Sequence, residues 1–307
     1  MNADTSPNLP DPASAGGPLG AATPLHAASP AHAVDAANPV APDSSAAQRW
    51  QEWHQQRLET VLAPYGPLSV TGTHWLADAD DQGRVEGLPG QWHPTPDGTG
   101  VVVHADVLDE LSAGGEMLVG ERRLGGAPGA VQHTRITWGD RRLELLRREG
   151  RWAVRVHDPA APARRAFPGI RTTPYDERWV LPGTFHAYEG ARRVPVPNAD
   201  GHTRGLDLGG EVRFTAPDGG EHDLRVSVVG SGALWAVFAD ATSGHGSHRF
   251  RFLRTGAPAS DGTVTVDFNR TTLPPCAFAD HFLCPFPPPG NTLELAVRAG
   301  ERDLSTG

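Results

Sequence analysis

The only two cysteines of the chain, Cys276 and Cys284, stand in DFNRTTLPPCAFADHFLCP (267–285), each beside a proline. Cys276, His281 and Cys284 give three soft ligands within nine residues, and His245 or His248 could supply a fourth. Zinc takes such sets, but the spacing is not that of a C-x2-C knuckle, and Pro275 and Pro285 stiffen the backbone on the outer side of each thiol. A redox pair needs a thiolate of lowered pKa, usually next to a cation or a helix N-terminus. Arg270 is the cation closest in sequence; no C-x-x-C is present and no helix start is predicted nearby. Unpaired cysteines are among the most buried residues, so packing as small hydrophobes is the preferred reading for both.

A second constellation is polar. Asp240, Thr242, Ser243, His245, His248 and Arg249 crowd one loop, and Asp267, Asn269 and Arg270 follow an expected strand. Pairing of that strand with 248–254, through the turn at Asp261-Gly262, would gather both groups at one rim. Asp240, Arg249, Asp267, Asn269 and Arg270 could there bind a polar or anionic ligand through bidentate arginine contacts. His248 or Asp267 could act as a general acid–base. The competing reading is architectural: Asp, Asn, Ser and Thr cap turns, and Asp267 with Arg270 could form a plain ion pair.

Several chemistries are excluded outright. All 27 basic residues are arginine. Without a lysine amine, neither Schiff-base and pyridoxal-phosphate catalysis nor an ordinary P-loop is available. G-x-S-x-G and H-E-x-x-H are absent. No organic cofactor or metal is implied.

These side chains must be positioned by a largely β scaffold. Residues 48–62 read as one helix, with Trp50, Trp53, Leu58, Val61 and Leu62 on one face and a Ser45/Gln48 capping box. Beyond Pro64 the pattern turns to short strands, at 101–104, 131–138, 143–148, 152–157, 206–214, 222–229, 233–239, 248–254, 263–268 and 293–299. Hairpins are expected at Glu149-Gly150 and Asp218-Gly219. The predicted fold class is all-β, a mainly antiparallel sandwich or partly open barrel with one N-terminal helix. Residues 48–307 are expected to form a single β-rich domain, in which two lobes could meet at the Pro-rich stretch near 159–200.

Residues 1–47 are dominated by Ala, Pro, Ser, Asn, Gly and Asp, which cannot bury enough apolar surface to offset ordering entropy, so a disordered tail is expected. The net charge of −9 falls to −5 without the tail's four acids, leaving 27 basic against 32 acidic residues. A mildly acidic body carries no footprint for nucleic acid or an anionic membrane surface. No run of 18 apolar residues and no secretory signal is seen, and two cysteines do not make a disulfide scaffold. A bacterial, cytoplasmic protein is expected, in which a disulfide would be disfavoured.

In order along the chain stand Trp50, THWLADADDQGR (73–84), RWAVRVHD (151–158), RRAFPGI (164–170), FADATSG (238–244), RFLRTG (251–256), DGTVTVDFNR (261–270), PPCAF (274–278), CPFPPPGN (284–291) and RAGE (298–301). This series, over roughly 50–302, resembles the bacterial and archaeal family catalogued as domain of unknown function 1684. The resemblance implies a soluble, β-rich prokaryotic protein and no cofactor; it carries no activity. Two positions depart from the family pattern: Ser247-His248 replaces the usual Thr-Tyr pair, and His281 replaces a small or aromatic residue.

Three functions follow as expectations: a small-molecule-binding β protein using the polar rim, a cofactor-independent hydrolase or isomerase using His248 or Asp267, or an interaction scaffold presenting the Pro-rich loop 284–290.

Overall fold

Helix α1 (Ala46–Leu62) opens the computed structural model, which describes residues 45–125, 135–230 and 232–305. Its start is set by the capping box: Ser45 Oγ accepts from the Gln48 amide at 3.2 Å, and Gln48 Oε1 accepts from the Ser45 amide at 2.8 Å. The helix therefore begins at Ala46, two residues inside the expected tail; the rest of that tail, 1–44, lies outside the described residues. Trp50 and Val61 are buried as expected, together with Arg57, whereas Leu62 remains exposed. No helix among the described residues is long and apolar enough to cross a membrane.

The strands are β1 (Val70–Trp75), β2 (Gln91–Pro94), β3 (Gly100–Ala105), β4 (Leu111–Ala113), β5 (Glu116–Met117), β6 (Gly120–Gly125), β7 (Ile136–Trp138), β8 (Arg141–Arg148) and β9 (Arg151–His157). They continue as β10 (Ile170–Thr172), β11 (Val180–Pro197), β12 (Thr203–Thr215), β13 (Glu221–Val229), β14 (Ala233–Phe238), β15 (Arg251–Arg254), β16 (Thr263–Asp267) and β17 (Glu301–Leu304). All strand pairings are antiparallel. One six-stranded sheet runs β1-β9-β8-β7-β4-β5 and packs its Leu143, Leu145, Trp152 and Val154 on Trp92, Val101 and Val103 of the sheet β2-β3-β6. A second six-stranded sheet runs β15-β14-β13-β12-β11-β16 and curls into a half-barrel. Its two ends approach where Phe252 of β15 exchanges two 2.9 Å backbone hydrogen bonds with Thr272, just past β16.

Local sequence explains much of this. Glu149 and Gly150 both adopt positive φ, 49° and 79°, as a two-residue turn of mirror type requires, so β8 and β9 pair in tight register. The alternating pattern of β12 buries every second residue from Arg204 to Phe214. β14 is apolar throughout because both its faces are covered. Leu234, Ala236 and Phe238 point into the half-barrel, while Trp235 and Val237 pack on Val70, Phe250, Phe252, Phe282 and Cys284.

Two expectations are corrected, and one long strand stands where none was expected. The Pro-rich stretch near 159–200 contains the longest strand, β11: Pro195 and Pro197 lie where it pairs only with β12, and Pro182 precedes that pairing by one residue. β16 pairs with β11, Val180 opposite Asp267, and not with 248–254. Residues 293–299 form no strand, although Leu293, Val297 and Ala299 are buried; the carbonyls of Val297 and Ala299 accept arginine side chains instead of a neighbouring backbone. The expected strand at 131–138 shortens to β7, with 131–134 outside the described residues.

Candidate functional site

Asp240 and Arg251 fill the interior, not a rim. Their side chains are fully buried and meet at 2.5 Å between Asp240 Oδ2 and Arg251 Nη2. The other carboxylate oxygen accepts from the Thr242 amide and hydroxyl at 2.7 and 2.6 Å. Arg251 also donates to the carbonyls of Val297, Ala299 and Glu301 at 2.8–3.0 Å. Asp240 is thus a structural anion that holds the irregular 293–301 segment through Arg251, and it leaves the proposed ligand set for that reason. Arg249 leaves it too: its guanidinium lies over Phe286 and Phe250, at 4.5 and 5.4 Å from the ring centres.

Asp267, Asn269 and Arg270 do come together. Asp267 Oδ1 accepts from the amide and the side chain of Asn269, both at 3.0 Å, which caps the turn 268–270. Asn269 is fully buried and clamps Asp176 through its amide and carbonyl, while its own carbonyl receives the Trp50 indole at 2.8 Å. Arg270 Nε faces Asp267 Oδ2 at 3.4 Å, and the guanidinium lies 5.6 Å from the centre of the Trp53 ring. Tyr175 borders the same shoulder, 6.4 Å ring to ring from Trp50. Burial pushes the Asp267 carboxyl up, against the opposing hydrogen bonds of Asn269 and the charge of Arg270. Burial likewise raises the Tyr175 phenol, helped by Asp267 and Glu177.

The two catalytic candidates do not form one acid–base pair. His248 shares no partner with Asp267; its amide donates to Arg302 at 2.6 Å, and its ring lies 5.8 Å from that of Phe250 and beside the Cys276 thiol. His248 Nε2 is buried and meets no hydrogen-bond partner.

Both cysteines are free, Cys284 buried and Cys276 half-buried. Their separation in sequence closes in space: the Cys276 amide donates to Cys284 Sγ at 3.4 Å, which brings the two side chains into each other's influence. The Cys284 thiol, the His248 ring and the Arg249 guanidinium lower the Cys276 pKa to about 5, against the push of burial. Burial drives Cys284 the other way, reinforced by Cys276. The cysteines do pack in the apolar cluster, as the preferred reading held, but packing is not all they do. His281 is not their partner. It is exposed, its carbonyl accepts from Thr73 at 2.7 Å, and its ring acts on His74. Among the described residues no three His, Cys, Asp or Glu side chains are placed to hold a metal ion.

The Pro-rich loop is laid down on the scaffold. Phe286 donates its amide to Pro197 at 2.8 Å, Pro285 bridges to Asn198, and Pro288 is buried. Beyond it Asn291 is fully buried, receiving the Arg225 amide and donating to the carbonyls of Arg225 and Val237. Glu301 takes the Leu273 amide at 2.6 Å and the Arg57 guanidinium at 3.0 Å, which pins α1. Much of the C-terminal motif is therefore a set of clamps. A cavity of about 10 Å³ lies within the half-barrel, lined by residues such as Val212, Leu224, Leu253 and Val266; it has room for about one water and no polar wall to hold it.

These features define an antiparallel β protein whose curled sheet is locked by buried Asp–Arg and Arg–Glu pairs and crossed by a dithiol loop. The chain belongs, through residues 165–302, to the family described as "Protein of unknown function (DUF1684)". That match takes in the half-barrel and the motif clamps, but not β1–β9. An uncharacterized protein of Haloarcula marismortui, solved by solution NMR, is 32% identical over 46% of this chain and 80% of its own, with a TM-score of 0.39. No curated protein matches the chain.

Proposed function

We propose that the protein binds a small organic anion at the shoulder formed by Trp53, Tyr175, Asp267 and Arg270. One observation carries this reading. Arg270 is 43% exposed, held by Trp53 and by Asp267 at Nε, and its two terminal nitrogens meet no protein acceptor among the described residues. A guanidinium fixed in this way presents a preorganised edge to a carboxylate or phosphate, and the neighbouring rings offer an apolar bed for the rest of the ligand. Asp267 and Asn269 position the arginine; Asp240 and Arg249 take no part.

A thermal-shift screen of carboxylic acids, with their amides as neutral controls, tests the reading. A ligand at 100 times its Kd stabilises by about 2.7 kcal/mol, an easily measured shift. Acids should stabilise the wild type and lose that effect in Arg270→Ala. Equal stabilisation of both proteins by the same acids would refute the assignment.

A further inference from the structure

The loop 276–284 carries an arrangement that ligand binding at Arg270 does not use. Cys276 sits in a short turn, Pro275–Ala277, held by the Ala277 and Phe278 amides on the carbonyls of Pro274 and Pro275 at 2.9 Å. Cys284 is anchored from the other side: its carbonyl accepts from Ala199 at 2.9 Å, and the preceding Leu283 carbonyl accepts from the buried Asn198 side chain at 2.9 Å. The two segments therefore converge on fixed supports, with Cys284 Sγ at 3.4 Å from the Cys276 amide. Residues 280 and 281 between them are exposed, which lets the loop adjust. One thiol is half-open to solvent and the other is sealed within the apolar cluster. Two cations, actual or potential, flank the open one: Arg249 and His248, the latter with a buried Nε2 that has no hydrogen-bond partner.

We propose that Cys276 and Cys284 form a reversible dithiol–disulfide pair, oxidised by a small hydroperoxide that attacks from the exposed side of Cys276. The Cys276 thiolate attacks the distal peroxide oxygen. An S–O bond forms, the O–O bond breaks, and the departing alkoxide or hydroxide takes a proton to leave as alcohol or water. Cys284, losing its proton, then displaces hydroxide from the Cys276 sulfenic acid, so that the disulfide forms and water leaves. In sum, two thiols and one hydroperoxide give one disulfide, one alcohol or water, and one water. Arg249 and His248 favour the first step because they stabilise the thiolate and the charge that moves onto the leaving oxygen. Burial keeps Cys284 protonated until the sulfenic acid appears beside it. A small oxidant suits the site, since Cys276 is only half-open to solvent and packs against the apolar cluster that encloses Cys284.

The test is peroxide titration of the full chain, followed by thiol counting, intact mass and peptide mapping. Wild type should lose both thiols together and the mass of two hydrogens, map to a Cys276–Cys284 link, and recover both thiols with dithiothreitol. Cys284→Ala should stop at one added oxygen, captured by dimedone on Cys276. Two results would overturn the proposal: both thiols surviving a peroxide dose that oxidises free cysteine, or oxygen accumulating on wild-type Cys276 without a link to Cys284. The wild-type measurement decides the matter even if Cys284→Ala does not fold. An unaltered Arg270-dependent thermal shift in the oxidised protein would leave the ligand reading intact, whichever way this result falls.

Discussion

Arg251→Met removes the centre of the deepest polar cluster and has the most sharply defined consequence. In the native protein Asp240 and Arg251 are both sealed from water at 2.5 Å, and three carbonyls, of Val297, Ala299 and Glu301, depend on the same guanidinium. Methionine fills much of the volume but leaves the Asp240 carboxylate buried with only Thr242 as donor. Breaking a buried pair from one side costs about 3–5 kcal/mol, because an uncompensated charge remains. For a domain of this size that corresponds to a fall in Tm of roughly 6–20 °C. The double variant Asp240→Asn/Arg251→Met removes the stranded charge and should recover part of the loss, giving strong coupling in a double-mutant cycle. Urea denaturation of the four proteins measures it. A single-variant cost under about 1 kcal/mol, or strict additivity, would show that water or a local shift solvates Asp240 and would refute the reasoning.

Asp267→Asn tests the other carboxylate. Burial raises its pKa, so its contribution to stability is present below the unfolded value and is lost as pH rises through the folded one. The variant should therefore gain stability relative to wild type at neutral pH, and the gain should vanish below roughly pH 4; unfolding curves across this range showing the opposite trend would count against the desolvated site. Gly300→Ala should be destabilising by at least about 1–2 kcal/mol, the cost of left-handed backbone for a residue with a Cβ. Gly300 has φ 70°, and an added Cβ would lie 2.7 Å from the Phe268 carbonyl oxygen. An unchanged urea midpoint would contradict that close approach.

The elements legible in the sequence were those with local causes. The Ser45/Gln48 box placed the helix start to within a turn, and Glu149-Gly150 and Asp218-Gly219 placed two hairpins. β11 was hidden because its prolines argue against a strand until one knows which of its edges are unpaired. The apolar period of 293–299 is real as burial, but the carbonyls of Val297 and Ala299 meet the side chain of Arg251, distant in sequence, which no periodicity reveals. The same limit governed the sites. Asp267, Asn269 and Arg270 share one turn and could be grouped on sight. The sequence groups Asp240 with a rim because its true partner, Arg251, lies 11 positions away between Phe250 and Phe252, with only a faint hint that its side chain faces inward. His248 and Cys276 lie 28 positions apart, and only the fold sets them side by side; the departure of His248 from the family pattern was the available signal.

The Arg57–Glu301 contact joins residues 244 positions apart. During synthesis Arg57 of helix α1 precedes Glu301 by that distance, and its charge has no counter-ion until Glu301 emerges. At translation rates of roughly 5–20 residues per second, that interval is on the order of ten seconds or longer. For that time the buried faces of Trp50 and Val61 await their seat, so docking of the helix is among the last steps of folding.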